Sequence, residues 1–283
     1  MNTCQKFLST GVLALFASAA FAQAPTLGAA SGFSVLGGTA VTCTDGVIIG
    51  DAGVSPGTAF TNTRCTISGT THVDDQAARR ARAAFDTAYA ALAEQACQFN
   101  LDATIAADTQ LEPGVYCTDA ALTATNVVLT LDGKGDPNAV WIFRIGTNPT
   151  GTGALTGTGF TVTMADGGQA CNVYWRVAEA VDLTDSVFKG TVLAGAAITT
   201  TRGTVAGRAL ARAAVTITGT TVTGCDVLSE DGVSCKPKKH HKHKKGHDRD
   251  DDDDDGDRHH DDDDDDDDDG GKKGNRGKHP FKK

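Results

Sequence analysis

Val215-Thr216-Ile217-Thr218 alternates apolar and hydroxyl side chains, and the same phrase returns as Phe160-Thr161-Val162-Thr163 and Leu129-Thr130-Leu131. In an extended strand successive side chains point to opposite faces, so Val215 and Ile217 turn inward while Thr216 and Thr218 form an outward row. Short strands of this kind, separated by Gly and Asp-Gly turns, cannot each bury an apolar face alone. They are expected to stack on one another.

Composition agrees with a core of small and β-branched side chains. Of 283 residues, 40% are hydrophobic, with 33 Gly but only 2 Trp and 3 Tyr. The formal charge of −10 is spread over body and tail, and the body arginines are dispersed apart from Arg79, Arg80 and Arg82. No basic patch is present, so a nucleic-acid partner is not expected.

Lys6 precedes an apolar run from Phe7 to Phe16, and Ala20-Phe21-Ala22 has the small-x-small pattern of a cleavage site. Residues 1–22 are therefore expected to be a signal peptide, with a secreted or cell-surface protein starting at Gln23. That run is too short to span a bilayer and no later stretch is longer, so no transmembrane segment is expected.

Export makes disulfides the natural state of the cysteines. Cys97 with Cys117, and Cys43 with Cys65, would each close a loop of about twenty residues, contributing on the order of 3 kcal/mol. Cys225 with Cys235 is a third option, and Cys171 is a candidate for a buried free thiol. A zinc site competes poorly, since no C-x-x-C occurs and His72 is the sole histidine before the tail.

One segment breaks the strand pattern. From Asp74 to Gln95, Ala77, Ala81, Ala84, Phe85, Ala88 and Leu92 recur at helical spacing, with no Gly or Pro inside. Thr71 stands near the start, and Asp74 and Asp75 fall in the first turn. A helix of about 22 residues spans roughly 33 Å, and six or seven strand layers at about 4.8 Å span about the same. An alanine-rich helix laid along one side of a strand stack would cover that side.

Several ordered blocks carry a resemblance. Asp51-Ala52-Gly53-Val54-Ser55-Pro56-Gly57-Thr58, Pro113-Gly114-Val115-Tyr116-Cys117, the stretch from Leu131 to Gly146, Cys171-Asn172-Val173-Tyr174-Trp175-Arg176-Val177, the stretch from Phe188 to Ala194 and Gly207-Arg208-Ala209-Leu210-Ala211-Arg212 resemble the ice-binding-like family, also called DUF3494. The resemblance implies a discontinuous right-handed β-helix of triangular section, with one long helix packed alongside. It also implies a non-catalytic activity, adsorption to the ice crystal surface with inhibition of ice growth or recrystallisation, and no cofactor. The blocks themselves read as architecture: Gly114, Gly133, Gly190 and Gly207 as corners, and Trp141, Phe143, Tyr174, Trp175 and Phe188 as core.

Function would then lie on an outer face. Ice-active family members can carry a T-A/G-x-T/N pattern, and this chain matches it at Thr39-Ala40-Val41-Thr42, Thr123-Ala124-Thr125-Asn126 and Thr218-Gly219-Thr220-Thr221. Candidates for the ice-binding face are thus Thr39, Thr42, Thr123, Thr125, Asn126, Thr218, Thr220 and Thr221, to which strand parity adds Thr156, Thr158, Thr184, Thr199 and Thr216. Asp182 and Asp185 close to Thr184 argue against an uninterrupted apolar surface.

After Cys235 the chain becomes blocks of single character: Lys/His-rich, then runs of aspartate from Asp250 to Asp255 and Asp261 to Asp269, then basic. Such blocks cannot build a core and are expected to be disordered. The chain therefore divides into the signal peptide 1–22, a solenoid domain 23–226, and a connector and charged tail 227–283. His240, His241, His243, His247, Asp250 and Asp261 are candidates for a weak divalent-cation site in the tail, with none expected in the domain. A cell-surface or adhesin-like protein with a cation-binding tail, or a tail attached to a charged cell surface, is the alternative reading. An enzyme is not expected: Asp132 with Asp136, and Asp182 with Asp185, are the only plausible carboxylate pairs, and turn chemistry accounts for both.

Overall fold

The computed structural model describes residues 22–147 and 151–225. The expected signal peptide, Ala22 apart, lies outside the described residues. So do the tail 227–283 and its candidate ligands His240, His241, His243, His247, Asp250 and Asp261.

Seven strands come first: β1 (Phe33–Gly37), β2 (Ala40–Thr44), β3 (Val47–Ile49), β4 (Asp51–Val54), β5 (Ala59–Thr63), β6 (Thr66–Ile67) and β7 (Thr71–Val73). Helix α1 (Gln76–Ala93) follows. The chain then continues through β8 (Phe99–Asn100), β9 (Thr104–Ile105), β10 (Thr109–Leu111), β11 (Gly114–Thr118), β12 (Leu122–Thr125), β13 (Val128–Asp132), β14 (Trp141–Ile145), β15 (Leu155–Thr158), β16 (Thr161–Ala165), β17 (Val173–Val177), β18 (Val181–Ala194), β19 (Ile198–Ala211) and β20 (Val215–Thr223). The result is a mainly β solenoid with one long helix.

The pairings are parallel and sort the strands into three walls. A helix-covered wall runs β8, β11, β14, β17, β18, β19, β1, β4, β7. A second wall runs β9, β12, β15, β18, β19, β20, β2, β5. The third runs β10, β13, β16, β18, β19, β20, β3, β6. The long strands β18 and β19 bend through all three. Gly207, at the corner where β19 enters the helix-covered wall, has φ +149°, and a Cβ there would stand 2.0 Å from the Gly190 carbonyl oxygen. Only glycine fits that turn.

The stack is discontinuous in sequence. β1 lies between β19 and β4, so the first strand completes the coil that the last strand, β20, begins. The chain climbs from β1 to β7, turns back along the helix-covered wall as α1, which is shorter than the nine-strand stack, and climbs again from β8 to β20.

Two apolar layers hold this together. Inside the coils, Phe143 stacks on Trp175 at 3.8 Å between ring centroids, with Phe160 and Phe188 meeting the indole edge-on or tilted. Trp141, Phe143, Trp175 and Phe188 are fully buried, as expected of core fillers. Between wall and helix, Ala81, Phe85, Ala88, Tyr89 and Leu92 pack on Leu36, Val115, Ile142, Tyr174, Leu193 and Leu210. The small Ala81 and Ala88 let the helix approach the strands closely.

Helix α1 is shorter than the stretch from Asp74 to Gln95 and spans about 27 Å. Its cap is Asp75, whose carboxylate accepts the Ala78 amide N–H at 2.9 Å, a contact typically worth about 1 kcal/mol. Thr71 instead belongs to β7.

Cys43–Cys65 and Cys97–Cys117 form as their spacing suggests. Cys171 is not a free thiol: it pairs with Cys225 across 54 residues, which also rules out pairing of Cys225 with Cys235. That bridge ties the end of the last coil to the turn before β17. Among the described residues no helix is long and apolar enough to cross a membrane.

Candidate functional site

The second wall begins as a phrase repeated along the chain. Ala40-Val41-Thr42-Cys43-Thr44, Ala59-Phe60-Thr61-Asn62-Thr63, Ala121-Leu122-Thr123-Ala124-Thr125, Ala154-Leu155-Thr156-Gly157-Thr158, Ala180-Val181-Asp182-Leu183-Thr184, Ala197-Ile198-Thr199-Thr200-Thr201 and Ala214-Val215-Thr216-Ile217-Thr218 all read alanine, apolar, threonine, any residue, threonine, with Asp182 the one departure. The second residue turns inward: Val41, Leu122, Leu155, Ile198 and Val215 are buried to 1% exposure or less. By the two-residue period of a strand, both threonines then face out.

Parallel pairing in register aligns these outward positions into two rows. One row is Thr104, Thr123, Thr156, Asp182, Thr199, Thr216, Thr42, Thr61. The other is Thr125, Thr158, Thr184, Thr201, Thr218, Thr44, Thr63. Neighbours within a row stand about 4.8 Å apart, and the rows about 6.6–7 Å apart. All these threonines are half-buried or exposed. At one end of the array the Thr104 and Thr123 hydroxyls hydrogen-bond at 3.0 Å.

A left-handed residue follows the second threonine and turns the chain onto the third wall. The column of such residues is Asn126, Gly159, Asp185, Arg202, Gly219, Asp45 and Arg64, each with φ between 52° and 58°. Two of its steps are ion pairs between successive coils: Arg202 Nε donates to Asp185 Oδ1 at 2.6 Å, and Arg64 Nε to Asp45 Oδ1 at 2.6 Å. The guanidinium bonds hold the Asp185 and Asp45 carboxyls below their ordinary range. Charge is thus neutralised at the edge of the array. Asp182 alone carries charge inside it, within 3.5 Å of the Thr184 hydroxyl.

The expected candidates divide accordingly. Thr42, Thr123, Thr125, Thr156, Thr158, Thr184, Thr199, Thr216 and Thr218 lie in the two rows. Thr39 does not: it sits in the turn before β2. Thr220 points into the coil, 2% exposed, its hydroxyl donating to the Thr218 carbonyl. Thr221 faces out on the third wall, paired with Thr204 and Val47. Asn126 is a corner residue beside the array. The four-residue pattern sits out of phase with strand parity at Thr39 and Thr220. It also overlooked Thr44, Thr61, Thr63, Thr104 and Thr201, which the longer alanine-led phrase, counted along the chain, would have found apart from Thr104.

The carboxylates of the Asp132 and Asp136 pair are engaged in local hydrogen bonds. Asp132 accepts the Lys134 amide at 2.9 Å and the Gln110 side chain at 2.7 Å, and Asp136 accepts the Asn138 amide at 2.8 Å. Both close turns. Among the described residues no three His, Cys, Asp or Glu side chains gather as a metal site.

The pattern of the ice-binding-like family matches residues 35–223. The chain belongs to that family. It is 34% identical over 201 residues to an ice-binding protein of Nostoc sp. (strain HG1), covering 68% of this chain and 72% of that one. It is 31% identical to ice-binding protein K3-B1 of Typhula ishikariensis, covering 68% and 88%. The crystal structure of an ice-binding protein from the Antarctic ascomycete Antarctomyces psychrotrophicus superposes with a TM-score of 0.66 at 33% identity, over 71% of this chain and 98% of that one. The relatives it matches are themselves described as ice-binding proteins.

Proposed function

We propose that the protein is secreted and adsorbs to ice through the threonine wall, so that growth is forced to bulge between bound molecules and recrystallisation is inhibited. The observation that carries this reading is the pair of in-register threonine rows on a wall without a helix. Ice offers neither charge nor pocket, so a binder needs a rigid, weakly polar, repeating surface. Threonine joins a water network through its hydroxyl and limits hydration through its methyl, and its stiff χ1 lowers the entropy lost on ordering. Helix, aromatic core and disulfides keep the wall rigid. Residues 1–22 supply the export signal, in keeping with three disulfides.

The test is recrystallisation inhibition by wild type, a Thr123→Tyr/Thr156→Tyr variant and Thr39→Tyr. Wild type and Thr39→Tyr are expected to inhibit alike, and the double variant to lose most of the activity. Equal activity in all three removes the threonine wall as the site, and an inactive wild type rejects the function. The tail's His and Asp blocks are proposed as a separate, loose cation site. Calorimetry with calcium and zinc on the full chain and on a chain ending at Cys235 would show heat only for the former.

A further inference from the structure

The third wall is as bare of helix as the threonine wall, and its outward positions are as selective. In register across seven strands they read Val128, Thr161, Val187, Thr204, Thr221, Val47, Thr66. Every one is β-branched, and Val and Thr have the same shape, so the row offers one contour with hydroxyls on some strands and methyls on others. The next positions outward hold Gln110, Thr130 and Thr163 in register on β10, β13 and β16, and Lys189, Ala206, Thr223 and Ile49 in register on β18, β19, β20 and β3. Lys189 is their single charge. Strand propensity favours β-branched residues, but solvated strand faces ordinarily carry charged residues, and the fourteen positions here hold one.

We infer that this valine–threonine wall is a second ice-contacting face, set at an angle to the first across the corner column of Asn126, Asp185, Arg202, Asp45 and Arg64. The inference rests on the threonine wall being the primary ice site. The chemistry favours ice over a protein partner. The outward positions contain no Trp, Tyr or Arg, the residues that anchor protein interfaces, and Val187 is the sole large apolar side chain there with as much as 44% exposure. What the wall does supply is the coil-to-coil repeat of its neighbour with similarly stiff side chains. Two such faces meeting at one edge would let a molecule engage two differently oriented ice surfaces.

The experiment places the full chain, fused at its C-terminus to a fluorescent protein, on a single-crystal ice hemisphere. Wild type is compared with Thr123→Tyr/Thr156→Tyr, with Thr161→Tyr/Thr204→Tyr, with all four changes together, and with Thr161→Val/Thr204→Val. Each tyrosine pair is expected to darken a different set of ice planes, the fourfold variant to be dark, and the valine pair to keep the planes of wild type. The valine pair guards against misfolding, since it alters hydroxyls without shape. If the third-wall tyrosine pair leaves the planes unchanged while the threonine-wall pair is dark, the second face is refuted and the first stands. A dark wild type refutes both. A shift from dimer to monomer in the third-wall variant, with unchanged planes, overturns the inference in favour of self-association.

Discussion

Asp182 occupies a position that threonine holds on the seven other strands of its row. A carboxylate binds water strongly and in directions set by its own lone pairs, so it disturbs an ordered water layer where a methyl and hydroxyl would not. Asp182→Thr is therefore expected to lower the concentration needed for recrystallisation inhibition by roughly two- to fivefold, or ~0.4–1 kcal/mol; unchanged or weaker inhibition would show that the carboxylate is tolerated or used. Asp185 and Asp45 act differently, because their charge is met by Arg202 and Arg64. Folding lowers their pKa from the ordinary 3.8, so their contribution to stability is complete above that value and lost as pH falls through the depressed one. The melting temperature is expected to stay level down to about pH 5 and to fall below about pH 4, with part of the fall absent in Arg202→Met.

Among the elements, helix α1 was the most legible. Its alanine spacing needs no tertiary context, and the missing Gly and Pro leave no alternative. Its cap was less so: Thr71, Asp74 and Asp75 all have capping chemistry, and only pairing of β7 with β4 decides that Thr71 is strand. Strand parity gave the outward positions correctly wherever apolar residues alternated cleanly, as at Val215 and Ile217. The four-residue pattern misplaced Thr220, because Gly219 takes φ +58° and turns the chain before the alternation resumes. Close approach of α1 depends on its small residues. Ala88, 1% exposed against the wall, is expected to tolerate no enlargement: Ala88→Leu should cost about 1–3 kcal/mol in urea unfolding, and no loss would mean that the helix sits farther out than described.

At the scale of the molecule, the feature hidden from the sequence is the composite coil. β1 and β20 are separated by most of the chain, and nothing local says that one finishes the turn of the other. The Cys171–Cys225 bridge was hidden for the same reason, since short loops favoured the pairs Cys43–Cys65 and Cys97–Cys117 while this one closes 54 residues. It fastens the end of the last coil, so Cys171→Ser/Cys225→Ser is expected to lose up to about 4 kcal/mol of stability on a loop-entropy basis, seen as a lower melting temperature. The repeat itself, by contrast, was readable as recurring threonine, because stacking in register converts a sequence phrase directly into a surface row. The decisive measurement is partition of the full chain between slowly grown ice and the remaining liquid, for wild type and for Thr123→Tyr/Thr156→Tyr. Enrichment of wild type in the ice and severalfold depletion of the variant is the predicted result. Equal partition of the two proteins, or a wild type that stays in the liquid, would contradict it.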